Sequence, residues 1–221
     1  MFTTENSMYG QQRDDMFDLD SVGSGIDQFI SRYTQKPAVV LDYDGVLTAP
    51  GANTAFDLIH RYHTDGFIDE AAWDEFQSVV AERAERRDRE FEGELLSIAT
   101  QALEGEKKGE LRSTTADFVA EHRDDVLATE ADQLIGEQQA QGREVYIVSN
   151  NYRLLFEALA DNSNINLNNV YSNVLAVSDE NGNTLNGQLS QRVYDGKQDI
   201  AEEIGDDRYI WAAAGDSMSD Y

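Results

Sequence analysis

Two carboxylates, Asp42 and Asp44, stand one residue apart directly after Ala38-Val39-Val40-Leu41, with Gly45 next in the chain. The apolar, partly β-branched run reads as a buried strand. Strand alternation points side chains at i and i+2 the same way, and open α/β sheets bind ligands outside the C-terminal ends of their strands. Two carboxylates so placed can hold a divalent cation, attack an electrophile such as phosphorus, or carry a proton. Asp and Glu supply 43 of 221 residues, so an Asp-x-Asp triplet is cheap in this chain. Asp18-Leu19-Asp20 has the same spacing with no apolar strand before it. The first pair gains its weight from residues further along the chain.

Three further features fall at strand ends or at the start of a helix. Ser149-Asn150-Asn151 comes directly after an expected strand over 144–148, and Gly196-Lys197 opens an expected helix. Gly215-Asp216-Ser217-Met218-Ser219-Asp220 comes directly after an expected strand over 209–214. In an α/β sheet these can converge on one crevice. Singly, each has a plainer reading. Ser149 would be a turn or N-cap residue, Asp216 and Asp220 would be helix caps, and a lysine would be a solvated charge. Lys36, Lys107, Lys108 and Lys197 are the only lysines, so one at this place counts for more. His60 and His63, at i and i+3, have the spacing for a shared metal but lack an evident third ligand. Arg83, Arg86, Arg87 and Arg89 read as a solvated face rather than an anion site.

The elements that must position these residues are set by periodicity. Residues 1 to about 12 are polar and read as disordered. Met16, Phe17, Leu19, Val22, Ile26, Phe29 and Ile30 suggest a short amphipathic helix that covers core surface. From about 54 to 125 the pattern is helical throughout. One stripe holds Phe56, Leu58, Ile59 and Tyr62, and a second, capped by Asp69, holds Ala72, Trp73, Phe76, Val79 and Val80. Two more run through Phe91–Leu103 and Leu111–Val119. A helix over about 126–140 precedes strand 144–148, and a helix over 152–159 comes after it. Strand 171–177 then turns at Asn181-Gly182-Asn183 into a hairpin. Strand, helical insert, then strand–helix units predict an α/β fold, a Rossmann-like parallel sheet with an inserted α-helical second domain. The division is an N-terminal extension over 1–36, an α/β core over 37–53 and 126–221, and a helical cap over 54–125.

Composition narrows the partners. The net charge of −26 argues against nucleic acid and anionic membranes, which attract basic surfaces. There is no cysteine, hence no disulfide, thiolate catalysis or Cys-based zinc site. No apolar run approaches the ~20 residues of a membrane span, and the start lacks the basic and apolar regions of a signal peptide. A cytoplasmic protein is expected. Acidic, lysine-poor composition also resembles that of proteins from salt-loving organisms, where concentrated salt screens self-repulsion.

The order and types of the four features resemble the haloacid dehalogenase superfamily. Its signature is a hydrophobic strand leading into D-x-D-G, a strand ending in Ser or Thr, a Lys, and G-D-x-x-x-D. All four stand in order over about 38–220. The resemblance implies that Asp42 is a nucleophile forming an aspartyl-phosphate, and that Asp44 protonates the leaving oxygen and then activates water. It implies that Ser149, with Asn150, Gly45 and Lys197, binds the phosphoryl group. Mg²⁺ would be held by Asp42, the backbone carbonyl of Tyr43 and Asp216, with Asp44 serving as acid/base rather than as a ligand. Asp220 would orient Lys197 or the metal shell from behind. An Asp at position 44 favours phosphatases or phosphomutases over dehalogenases. The helical insert resembles the so-called C1 cap of the phosphoserine-phosphatase-like branch. That branch carries a glutamate about nine residues after the nucleophile to bind the substrate amino group, whereas this chain has Gly51. The expectation is therefore a Mg²⁺-dependent phosphatase of a small phosphorylated metabolite whose identity is left open. A phosphomutase or phosphotransferase is the alternative, or a regulatory protein that binds phosphate without turnover. Relatives usually continue past the fourth motif, while this sequence stops at Tyr221.

Overall fold

The computed structural model describes residues 35–82, 89–179, 181–193 and 196–215, with the Arg89 and Glu90 side chains excepted. Strand β1 (Pro37–Leu41) is the centre of a five-stranded sheet with β2 (Glu144–Tyr152), β3 (Val170–Val177), β4 (Leu185–Gln191) and β5 (Tyr209–Ala214). The spatial order is β4-β3-β2-β1-β5. Neighbouring pairs are parallel except β3 with β4, which is antiparallel. This is the mixed, mostly parallel sheet of a Rossmann-like α/β fold, and the expected hairpin is its antiparallel edge.

Period two decides what each face of β1 meets. Val39 and Leu41 join Val145 and Ile147 in the larger apolar cluster, while Ala38 and Val40 join Tyr146, Val148 and Ile204 in a smaller one. Ile204 belongs to the helix Lys197–Asp207, which therefore covers the second face. Burial on both faces is what a continuous apolar run in a parallel sheet requires.

Between β1 and β2 the regular elements of the described residues are helices. These are α1 (Thr54–Thr64), α2 (Glu70–Ala81), α3 (Arg89–Ala102), α4 (Lys108–Glu121), α5 (Arg123–Val126) and α6 (Thr129–Ala140). α7 (Arg153–Ala160) comes after β2, and α8 (Lys197–Asp207) precedes β5. Asn53 and Asp69 cap α1 and α2, each accepting from an amide of the first turn. Leu58, Tyr62, Phe76, Leu111 and Phe118 of these helices, with Leu103 just past α3, belong to the same cluster as Val39 and Leu41. The segment from Met16 to Ile30, expected as an amphipathic helix, lies outside the described residues.

The far end of the sheet is tied by charge. Glu144, at the start of β2, accepts from Arg208 at 2.6 Å and from Lys36 at 3.3 Å. These bonds, Arg208 foremost, hold its carboxyl at about 2, below the usual 4.5. A depressed acid stabilises the fold above its unfolded value and loses that contribution as pH falls toward its folded value. Glu144→Gln is therefore expected to melt slightly lower at pH 7, within about 3 °C because solvent screens the pair. The gap should close between pH 4.5 and 2. Thermal melts across that range check it, and a gap that persists at pH 2 would show that the carboxylate charge is not its cause.

Candidate active site

The strand registers bring the chemistry to one end of the sheet. Leu41 pairs with Ile147 on one side and with Ala214 on the other, and the Asp42 N–H donates to the Ala214 carbonyl at 2.9 Å. Asp42 and Gly215 thus leave adjacent strands at the level where β2 carries Ser149. Asp216 and Asp220 lie outside the described residues, so the fourth motif reaches this end only as far as Gly215.

Lys197 comes from the first turn of α8 on the opposite face and donates to Asp42 Oδ1 at 2.9 Å. The two side chains retain only 11% and 10% of their exposure. So sheltered a pair is electrostatically strong, because little water screens it.

Tyr43 fixes the loop between the two carboxylates. Its ring is fully buried, packs edge-on against Phe156 with centroids 4.9 Å apart, and its hydroxyl donates to the Val126 carbonyl. Its own carbonyl accepts from the amides of Leu47, at 2.8 Å, and Val46, at 3.2 Å. Those bonds close the turn. The carbonyl expected as a metal ligand is thus also engaged in the turn.

Asp44 is held separately. Its Oδ1 accepts from the Thr54 N–H at 3.1 Å and from the Thr54 hydroxyl, and its Oδ2 accepts from the Asn151 amide at 2.7 Å. Burial pushes this carboxyl above its usual range. The Thr54 and Asn151 hydrogen bonds and the Lys197 charge pull the other way without cancelling the rise. Asp42 and Asp44 therefore sit in different environments, one against a cation and one among neutral donors, which is how paired carboxyls acquire different roles.

β2 does not end at Val148 as its apolar run suggests but continues to Tyr152. Its pairing with β3 shifts between Val148 and Tyr152, a bulge at the site. Ser149 and Asn151 are both buried there, and the Asn151 backbone and side-chain N–H groups reach Ser149 Oγ at 3.1 and 3.3 Å. Sequence reasoning gives Ser149 and Asn150 roles but none to Asn151. The available signal is strand alternation carried two residues further, which puts Asn151 on the face of Ser149. Thr54 gives no signal beyond being the start of a helix.

The remaining expected residues are less involved. The Asn150 amide donates to Glu92 of α3 at 2.7 Å. Gly45 is exposed, and its N–H donates to Thr48 Oγ1 at 3.0 Å. Its φ of 75° is one that favours glycine, so it serves the turn. His60 and His63 both stack on Trp73, with centroids 5.2 and 4.7 Å away. Arg83, Arg86, Arg87 and the Arg89 side chain lie outside the described residues. Among the described residues no group of three His, Asp or Glu is arranged to hold a metal ion. The Asp42 carboxylate is a hard oxygen donor of the kind that suits Mg²⁺.

Next to Thr54 lies a cavity of about 580 Å³ between the 49–52 loop, α1 and α4, lined also by His60, Arg61 and His122. Gly51 is on its wall with φ 82°. A second cavity, about 400 Å³, is at the other end of β2, around Arg143 and Glu144.

Solved structures agree with this architecture. A phosphoserine phosphohydrolase-like protein from Francisella tularensis subsp. tularensis superposes with a TM-score of 0.57 at 17% identity, covering 84% of this chain and 80% of that one. A phospho-aspartyl intermediate analogue of phosphoserine phosphatase gives 0.56 at 18%, covering 85% and 81%. A probable phosphoserine phosphatase from Vibrio cholerae gives 0.58 at 18%, covering 91% and 58%. At such identities the likeness is one of fold. No curated protein matches by sequence. The model of haloacid dehalogenase-like hydrolases matches residues 39–221, and the chain belongs to that family.

Proposed function

We propose that this chain is a Mg²⁺-dependent phosphatase of small phosphorylated metabolites, acting through an aspartyl-phosphate on Asp42. The observation that carries the reading is the contrast between the two carboxyls. Asp42 pairs with Lys197, whereas Asp44 is buried among donors with its carboxyl raised. An oxygen of Asp42 attacks phosphorus, and the bond from phosphorus to the leaving oxygen breaks. The proton on Asp44 passes to that oxygen. Water then attacks the acyl phosphate, Asp44 takes its proton, and inorganic phosphate leaves Asp42. Lys197 neutralises a phosphoryl oxygen throughout, and Ser149 hydrogen-bonds another. Asp42, the backbone carbonyl of Tyr43 and Asp216 would hold Mg²⁺, which when bound supplies further positive charge against the phosphoryl group.

Helices α1 to α5 act in this reading as the cap over a core formed by the rest of the described chain, and Asp220 as a support behind the site. Phosphoserine is not assigned as substrate, although the three structural neighbours are phosphoserine phosphatases or resemble them. Gly51, at a φ that favours glycine, supplies no carboxylate where the resemblance calls for one. The charge of −26 supports work in a salt-rich cytoplasm, so assays belong in molar KCl as well as in dilute buffer.

The test is hydrolysis of an aryl phosphate with Mg²⁺ present and after chelation. Turnover should fall at least about 100-fold when the metal is removed, and acid quenching should trap phosphate on Asp42, seen by peptide mass. Equal turnover in excess chelator, or phosphate trapped elsewhere, would refute the reading.

A further inference from the structure

We propose that Asn151 is a positioning residue that aims Asp44 at the leaving oxygen; this rests on the phosphatase reading. Asn151 is 2% exposed, and its amide sits between two groups of the site, donating to Asp44 Oδ2 at 2.7 Å and to Ser149 Oγ at 3.3 Å. Its side-chain oxygen is buried and has no hydrogen-bond partner. Buried amide oxygens are rarely left so. The side chain is therefore held by what it donates to, and what it donates to is the proposed proton carrier and its neighbour.

The local backbone is arranged for this contact. An undistorted β2 would place residues 149 and 151 at ladder positions beside β3. The bulge between Val148 and Tyr152 breaks that register, and bulges re-aim side chains next to active sites. Asp44 meanwhile has Thr54 on its other oxygen. The carboxyl is thus gripped from two directions, by the start of α1 and by the bulge of β2. With Asn151 removed it keeps one grip and can turn about its Cβ–Cγ bond. Misplacement by about 1 Å is enough to lower a rate about 100-fold.

The experiment separates positioning from general damage by varying the leaving group. Proton donation matters for an alkyl phosphate, whose alkoxide leaves poorly, and hardly at all for 2,4-dinitrophenyl phosphate. The value of kcat/KM is the right readout, because it covers only steps up to formation of the phosphoenzyme and so excludes the role of Asp44 with water. In Asn151→Ala, kcat/KM for the alkyl ester should fall about 10- to 100-fold, and for the dinitrophenyl ester less than about threefold. Asn151→Ser, which keeps a hydroxyl donor, should fall between parent and Asn151→Ala on the alkyl ester and carries the comparison if Asn151→Ala does not fold. Equal losses on both esters, or no loss on either, would overturn the role of Asn151 while leaving the phosphatase reading intact. A parent protein that hydrolyses neither ester with Mg²⁺ would overturn that reading, and this inference with it.

Discussion

Asp42→Asn is expected to lower kcat by about 10⁴-fold or more, since removing a covalent nucleophile leaves only binding and electrostatic assistance. The substitution is nearly isosteric. Its amide oxygen can still accept from Lys197, which stands 2.9 Å from Asp42 Oδ1, so the fold should survive, with circular dichroism unchanged. No phosphate should be trapped on the variant. Turnover within about tenfold of the parent would mean that another group attacks phosphorus and that the pair with Lys197 has a structural role only.

Asp44→Asn should produce two changes of opposite sense. Turnover of an alkyl phosphate should fall about 10²- to 10⁴-fold, the range that general acid–base catalysis supplies. Stability at neutral pH should rise. Burial raises the folded-state pKa of Asp44, so the unfolded chain gives up this proton at lower pH than the folded chain does. The fold is then penalised from the unfolded value upward, fully so above the folded value. A neutral amide removes the penalty and can still accept from Thr54. Its new N–H₂ faces Asn151, whose unpartnered oxygen becomes an acceptor when that amide turns over. Melts at pH 3 and pH 8 test this. The variant should gain on the parent only at the higher pH, and a loss at pH 8 would show that the hydrogen bonds of the ionised form outweigh its burial.

Much of this arrangement is legible in the sequence because strong local signals agree with the global fold. The run Ala38–Leu41 is apolar at every position and partly β-branched, which suits a strand buried on both faces, and the carboxylates after it stand at the sheet's end. Asp69 and the α2 stripe are readable for the same reason. The non-local part does not show. The extension of β2 through Ser149-Asn150-Asn151 is polar and reads as a turn. It is held by side-chain bonds such as that from Asn173 to the Asn150 carbonyl, 23 residues away. The histidine spacing in α1 suggests ligands because Trp73, which occupies both rings, lies on another helix. The grip of Thr54 on Asp44 needs the loop of residues 45–53 to fold back, which no periodicity encodes.

The pairing of β1 bears on how the chain is made. Its two partners are β2 and β5, and the nearer begins at Glu144, so at 5–20 residues per second about 5–20 s of synthesis separate β1 from its first partner. The helices α1 to α4 can associate locally in that interval, whereas Pro37–Leu41 cannot be paired. An apolar strand with both edges open is the kind of segment that recruits other chains. Slow, non-local closure of the sheet is thus the step at which this protein should most depend on holding factors in the cell, and at which dilute refolding should outperform concentrated refolding.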